Sequence, residues 1–135
     1  MQIEVIDTRR EELDELPAGI EARAVAMPEA VVRAAPQGSS YVILTHDHAL
    51  DFLIAREALA RSETLAYVGM IGSATKRATF ASWLKREGGD AGWMDHLTLP
   101  IGGTAVKDKR PSVIAALVAA ELLVALEMSR GRPRS

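Results

Sequence analysis

Four short clusters hold most of the polar chemistry of this chain: Asp7-Thr8-Arg9-Arg10, Thr45-His46-Asp47-His48, Gly72-Ser73-Ala74-Thr75-Lys76-Arg77, and Pro100-Ile101-Gly102-Gly103 followed by Lys107-Asp108-Lys109-Arg110. The third is the most telling. An apolar run of strand character ends at Gly69 and Gly72, Ser73 is a good helix N-cap, and a basic amphipathic helix pattern follows. Such a strand–loop–helix corner presents free backbone N–H groups and the positive end of a helix dipole. Gly72, Ser73, Thr75, Lys76 and Arg77 then form a cradle for phosphate or another small anion. An ordinary βα turn whose glycines serve only packing has the same local sequence.

The other clusters are weaker signals. Asp7, at the end of an apolar run, is placed like the carboxylate that holds ribose hydroxyls in dinucleotide-binding folds, with Arg9 available for a phosphate; this admits NAD(P) as a ligand. The glycine-rich G-x-G-x-x-G turn that should lie upstream is missing, because six residues precede Asp7. His46 and His48 flank Asp47, with Asp51 following, and His-x-His suits a metal when the backbone is extended. A helix starting at Asp47 turns the two rings apart, and His96, the remaining histidine, is distant, so no metal ligand set is assigned. Hydrogen bonding or acid–base work on a ligand, or helix capping, are the readings left for this cluster. Backbone amides at Gly102 and Gly103, with the basic run after them, offer a place for a second anionic group. No nucleophile–base pair stands out, which favours a binding protein over an enzyme.

With 135 residues, 48% of them hydrophobic, and 16 basic against 18 acidic residues, the chain can bury a sizeable core and has no broad electrostatic footprint for nucleic acid or an anionic membrane. Cysteine is absent, so disulfides, zinc–thiolate sites and thiol nucleophiles are excluded and a cytoplasmic location is the expectation. No signal-peptide pattern follows Met1. The longest apolar run, Val113–Ala120, reaches Leu126 if Glu121 is tolerated, short of the ~20 residues of a membrane span. It reads as a helix apolar nearly all round, buried centrally or shared with a partner.

Hydrophobic periodicity predicts strands over Gln2–Asp7, Ile20–Met27, Tyr41–Thr45 and Leu65–Ile71. It predicts helices over Pro28–Ala35, Asp47–Ser62, Ala74–Glu87 and from Pro111 to Met128. A helical turn in Thr8–Gly19, a turn or brief helix over Gly92–His96 and a short strand in Leu97–Lys109 complete the set. The helix after Asp47 is expected to bury Leu50, Leu53, Ile54 and Ala58; the next groups Phe80, Trp83 and Leu84. Continuously apolar strands alternating with helices imply an α/β fold, a Rossmann-like, mostly parallel sheet flanked by helices. One domain over residues 1–128 and a loose basic tail over 129–135 are expected. Ligands of such a sheet sit beyond the carboxyl ends of its strands, where the clusters at Asp7, Thr45 and Gly72 fall and could line one crevice.

Thr45–Asp51, Tyr67–Phe80, and Pro100–Gly103 with Lys109–Ala116, in this order and at these intervals, resemble the C-terminal Rossmann-like domain of the xanthine dehydrogenase accessory proteins, the XdhC/CoxI family, over about residues 3 to 126. The resemblance implies a chaperone that binds the molybdenum cofactor, a molybdopterin carrying a phosphate, and helps deliver it to apo-xanthine dehydrogenase or a related molybdoenzyme. Two features depart from the family. Its members open this domain with a further strand and a glycine-rich turn, which belong between Gln2–Asp7 and Tyr41–Thr45. Unpaired edges there are costly. Either another chain supplies the strand, as a homo-oligomer or a strand-completing partner, or the two neighbours pair directly, or the sequence is a piece of a longer protein. The second departure is the lack of cysteine, which excludes sulfur ligation of molybdenum by this chain. A nucleotide-binding, oxidoreductase-like domain, and an oligomerisation or docking module using Val113–Leu126, are the alternatives.

Overall fold

Short runs of two to four residues set the strands, with β-branched or aromatic residues in β1, β3, β4 and β5. The computed structural model describes residues 2–61 and 67–130. In chain order they form β1 (Glu4–Asp7), α1 (Arg10–Leu13), β2 (Glu21–Ala24), α2 (Pro28–Ala34), β3 (Ser40–Ile43), α3 (His48–Leu59), β4 (Tyr67–Met70), α4 (Ala74–Arg86), a 3-10 turn (Ala91–His96), β5 (Leu97–Thr98) and α5 (Pro111–Arg130). The start of the expected fourth strand at Leu65 and the tail beyond Arg130 lie outside the described residues.

The elements gather into two compact units divided between Ala35 and Pro36. In the first, β1 and β2 pair in parallel, Glu4 opposite Glu21 and Asp7 opposite Ala24. In the second, β4 lies between β3 and β5, all parallel, with Ser40 opposite Tyr67 and Val68 opposite Leu97. The ladders run on past the strands, since Ile71 N–H donates to Ile43 O and Ile101 N–H to Met70 O. β1 and β3 lie in different sheets. Each carries a ladder on one side only among the described residues.

The core of the second unit lies around β4, all four of whose residues are buried. This is what a continuously apolar strand covered on both faces requires. Phe52 of α3 meets Phe80 and Trp83 of α4 with ring centroids 5.0 and 5.5 Å apart, so the grouping of Phe80, Trp83 and Leu84 holds. The buried face of α3 differs from expectation: Asp51, Phe52, Ile54, Ala55, Ala58 and Leu59 are inside, while Leu53 is 37% exposed. Ile54 and Ala58 are buried as expected, and Asp51 joins them through the partners described below.

α5 is longer than its apolar run, and Val118 is its one buried residue among those described. Over Pro111–Met128 its mean hydropathy is 1.9 with 6% of the window buried, enough to cross a membrane by length and composition alone, which revises the reading that it falls short. It nevertheless packs on β4. Val118 is buried, and Glu121 accepts hydrogen bonds from Tyr67 Oη and Gly102 N–H, both at 2.9 Å. The opposite stripe, Ala115, Ala116, Ala119, Ala120, Leu123, Val124 and Met128, faces outward.

Candidate functional site

At the carboxyl ends of β3, β4 and β5 the chain turns three times, and hydrogen bonds tie the turns together. Asp51, in the first turn of α3, accepts the Thr45 N–H at 2.9 Å on Oδ1 and the Lys76 ammonium at 2.7 Å on Oδ2. Lys76 also donates to the Ile71 carbonyl at 2.7 Å. Asp51 is fully buried and Lys76 8% exposed. The ion pair thus joins the loops after β3 and β4 to the helices that follow them, inside the protein.

At the next corner Ser73 caps α4, its Oγ accepting the Lys76 N–H at 3.2 Å. The N–H groups of Gly72, Ser73, Ala74 and Thr75 find no protein acceptor among the described residues. Such orphan donors at a helix start, added to the dipole, favour an anion. Gly72 is required here because a Cβ would run into the stem of Lys76 and lie 3.0 Å from Leu99 Cδ1.

This corner forms one wall of an open cleft of about 310 Å³. Pro100, Gly103, Thr104, Val106, Lys107 and Lys109, from the segment before α5, complete its lining. Asp108, between the two lysines, is engaged by Arg110, its carboxylate taking the Arg110 Nη2 at 2.7 Å and the Arg110 N–H at 3.0 Å. Those bonds hold the Asp108 carboxyl below its ordinary range. The lining from this segment therefore includes two lysines, while Asp108 between them is paired with Arg110.

The sequence agrees with this architecture, for residues 1–122 match the family model described as the XdhC Rossmann domain. The chain belongs to the XdhC Rossmann-domain family. A search of curated protein sequences finds no match. Among solved structures, the crystal structure of a xanthine dehydrogenase from Bacillus halodurans is similar, with a TM-score of 0.71 over 98% of this chain at 22% identity; that likeness is one of fold. This chain spans 37% of the length of that protein.

Within this XdhC domain the residues singled out from sequence divide into those at the cleft and those committed elsewhere. Gly72 and Ser73 line the cleft, and so does Gly103. Lys76, read as a ligand donor, is spent on Asp51 and Ile71. Arg77, read likewise, donates to the carbonyls of Met94, Leu97 and Leu99 at 3.0 to 3.3 Å. A long cation early in a helix can bend back toward carbonyls left open by a short 3-10 turn and a two-residue strand, and the periodicity of α4 carries no sign of that. Thr75 is exposed on α4 outside the cleft lining.

The amides of Gly102 and Gly103 are taken by Glu121 and by the Pro100 carbonyl, so they offer no second anion site. Both glycines sit at positive φ, +79° and +72°, and a Cβ at Gly102 would lie 3.2 Å from Leu117. The basic run after them faces the same cleft as Ser73, which makes one site of two. Lys107 and Lys109 are the donors that sequence reading put at a separate place.

Asp47 acts as the N-cap of α3, its Oδ1 accepting Ala49 N–H at 2.9 Å and Leu50 N–H at 3.4 Å. His46 and His48 are exposed on either side of it. No group of three or more metal-ligating side chains occurs among the described residues. In the first unit Asp7 accepts the Arg9 N–H at 2.9 Å and Arg9 Nε at 3.3 Å. Burial pushes the Asp7 carboxyl up, and the bonds from Arg9 more than offset it, leaving it below its ordinary value. The two residues proposed from sequence to share a ribose and a phosphate are thus each other's partners.

Proposed function

We propose that this chain is the cofactor-holding part of a maturation factor for xanthine dehydrogenase or a related molybdoenzyme. It binds the molybdenum cofactor as cargo, through its phosphate, and releases it to the apo-enzyme. Membership of the XdhC family supports the maturation role. The observation that carries the ligand class is the cleft lined by Gly72, Ser73 and Ala74, whose amides have no protein acceptor among the described residues, together with Lys107 and Lys109. A phosphate fits these donors, which supply directed N–H groups and two ammonium groups. The chain contributes no sulfur ligand to molybdenum, having no cysteine; its residues hold the phosphate and leave the metal end of the cargo to the receiving enzyme or another domain.

The role is a carrier's rather than an enzyme's, exercised in the cytoplasm, with the unpaired edge of β3 completed by a further strand from the same assembly. The packing of α5 through Glu121, Val118 and Leu117 supports its being a helix of a water-soluble domain rather than a span.

The decisive experiment incubates the purified protein with released molybdenum cofactor and follows the cofactor's survival and its transfer to apo-xanthine dehydrogenase. The wild type is expected to protect the cofactor. Lys107→Gln with Lys109→Gln is expected to weaken binding by about tenfold, since charge-assisted hydrogen bonds contribute about 1.5 kcal/mol or more. A melting temperature raised by NAD(P) and unmoved by molybdopterin would replace this reading with a nucleotide-binding one.

A further inference from the structure

We propose that Lys76 and Asp51 are positioning residues of the anion cleft, aiming its amides without touching the ligand. The inference rests on the phosphate-holding role given to that cleft. Lys76 has both its observed bonds inside the protein, one to a carboxylate with no exposed surface and one to the carbonyl of Ile71. In a planar trans peptide the C=O and the N–H point in opposite directions. Drawing the Ile71 carbonyl inward onto Lys76 therefore turns the Gly72 N–H outward, on the side where Gly72 lines the cleft.

The stem of the same side chain occupies the space a side chain at residue 72 would need. Asp51 completes the arrangement. One of its oxygens neutralises Lys76 and the other holds the Thr45 N–H, so the loop after β3 is set by the same pair as the loop after β4. A buried pair satisfied in this way contributes little net stability compared with apolar residues of similar size. Its contribution to geometry is specific, because no apolar side chain can hold the Ile71 carbonyl.

The test separates aim from stability. Lys76→Met combined with Asp51→Leu removes both charges and leaves none unpaired, whereas a single substitution would strand a buried charge. Inorganic pyrophosphate is titrated into wild-type and variant protein by calorimetry and against the amide nitrogen and proton shifts of residues 72–75, with melting temperatures measured in parallel. The expected result is a folded variant whose affinity falls about tenfold or more, the effect of misdirecting one charge-assisted hydrogen bond, with pyrophosphate-induced shifts lost at Gly72.

Gly72→Ala is the second variant, pressing on the Lys76 stem without altering any charge, and it is expected to lose affinity in the same way. Unchanged affinity in either folded variant overturns the proposal, because a purely structural pair would move the melting temperature and leave the affinity of the folded molecule alone. Wild-type protein that shows no shift at residues 72–75 overturns the reading of the cleft itself, which is a different failure.

Discussion

The phenol of Tyr67, in the central strand of the second unit, donates to Glu121 Oε1 at 2.9 Å, and the same oxygen accepts the Gly102 N–H at 2.9 Å. One carboxylate oxygen of α5 thereby anchors both the strand beneath it and the turn that leads into the cleft. The helix needs such an anchor, because its sequence offers the sheet little else that is polar.

Burial first, and then the neighbouring carboxylate, raise the Tyr67 pKa well above the ordinary tyrosine value. The unfolded chain loses this proton near pH 10 while the native protein keeps it. Stability contributed by Tyr67 is therefore fully present below pH ~10 and is lost as pH rises above that value. Urea unfolding at several pH values, on protein carrying Tyr41→Phe so that one tyrosine remains, is expected to show that decline. Adding Tyr67→Phe is expected to flatten it, at a cost of about 1 kcal/mol at neutral pH for the lost hydrogen bond.

Arg77 gives the sharpest contrast between sequence and structure. Its guanidinium holds three carbonyls of the segment from Met94 to Leu99. Arg77→Met is expected to lower stability by about 3 kcal/mol, since part-buried carbonyls bonded to a charged group are left unmatched. Pyrophosphate affinity per folded molecule is expected to stay at the wild-type level. A loss of affinity with unchanged urea midpoint would return Arg77 to the ligand.

Ser73→Ala removes the acceptor for the Lys76 N–H at the start of α4, and a lost N-cap costs about 1 kcal/mol. Ser73→Gly is expected to cost only a few tenths, because glycine leaves that N–H open to water. Chemical denaturation of the two variants side by side distinguishes capping from any other role of the hydroxyl in stability.

Gly102→Ala is expected to be among the most damaging single-methyl changes in the chain. Its φ of +79° disfavours any side chain, and Leu117 lies 3.2 Å from the position a Cβ would take. Strain and overpacking together cost about 2–4 kcal/mol. The midpoint of thermal unfolding reads the loss directly.

Local signals in the sequence carried most of the fold. The apolar Tyr67–Met70 run, the caps at Asp47 and Ser73 and the proline at 111 each act within a few residues, and each element formed within a few residues of its expected limits. What the sequence hid were pairings across distance. Asp51 and Lys76 are 25 residues apart, and in the sequence Asp51 reads as a polar position between apolar ones and Lys76 as a donor to a ligand. The same holds for Arg77 and its carbonyls. Lys107 and Lys109 were visible as a basic run, but only the fold brings them to the same cleft as Ser73. Thus the corner that starts the cleft was legible, and the identity of its cations was not.

The outward stripe of α5, with Leu123, Val124 and Met128 each at least 60% exposed, makes the isolated polypeptide surface-active. Hydrophobic dyes will light up on it while it is still folded, and adsorption at air–water interfaces will deplete dilute samples. Concentrations for any binding titration should therefore be measured after handling, in the presence of a mild non-ionic detergent.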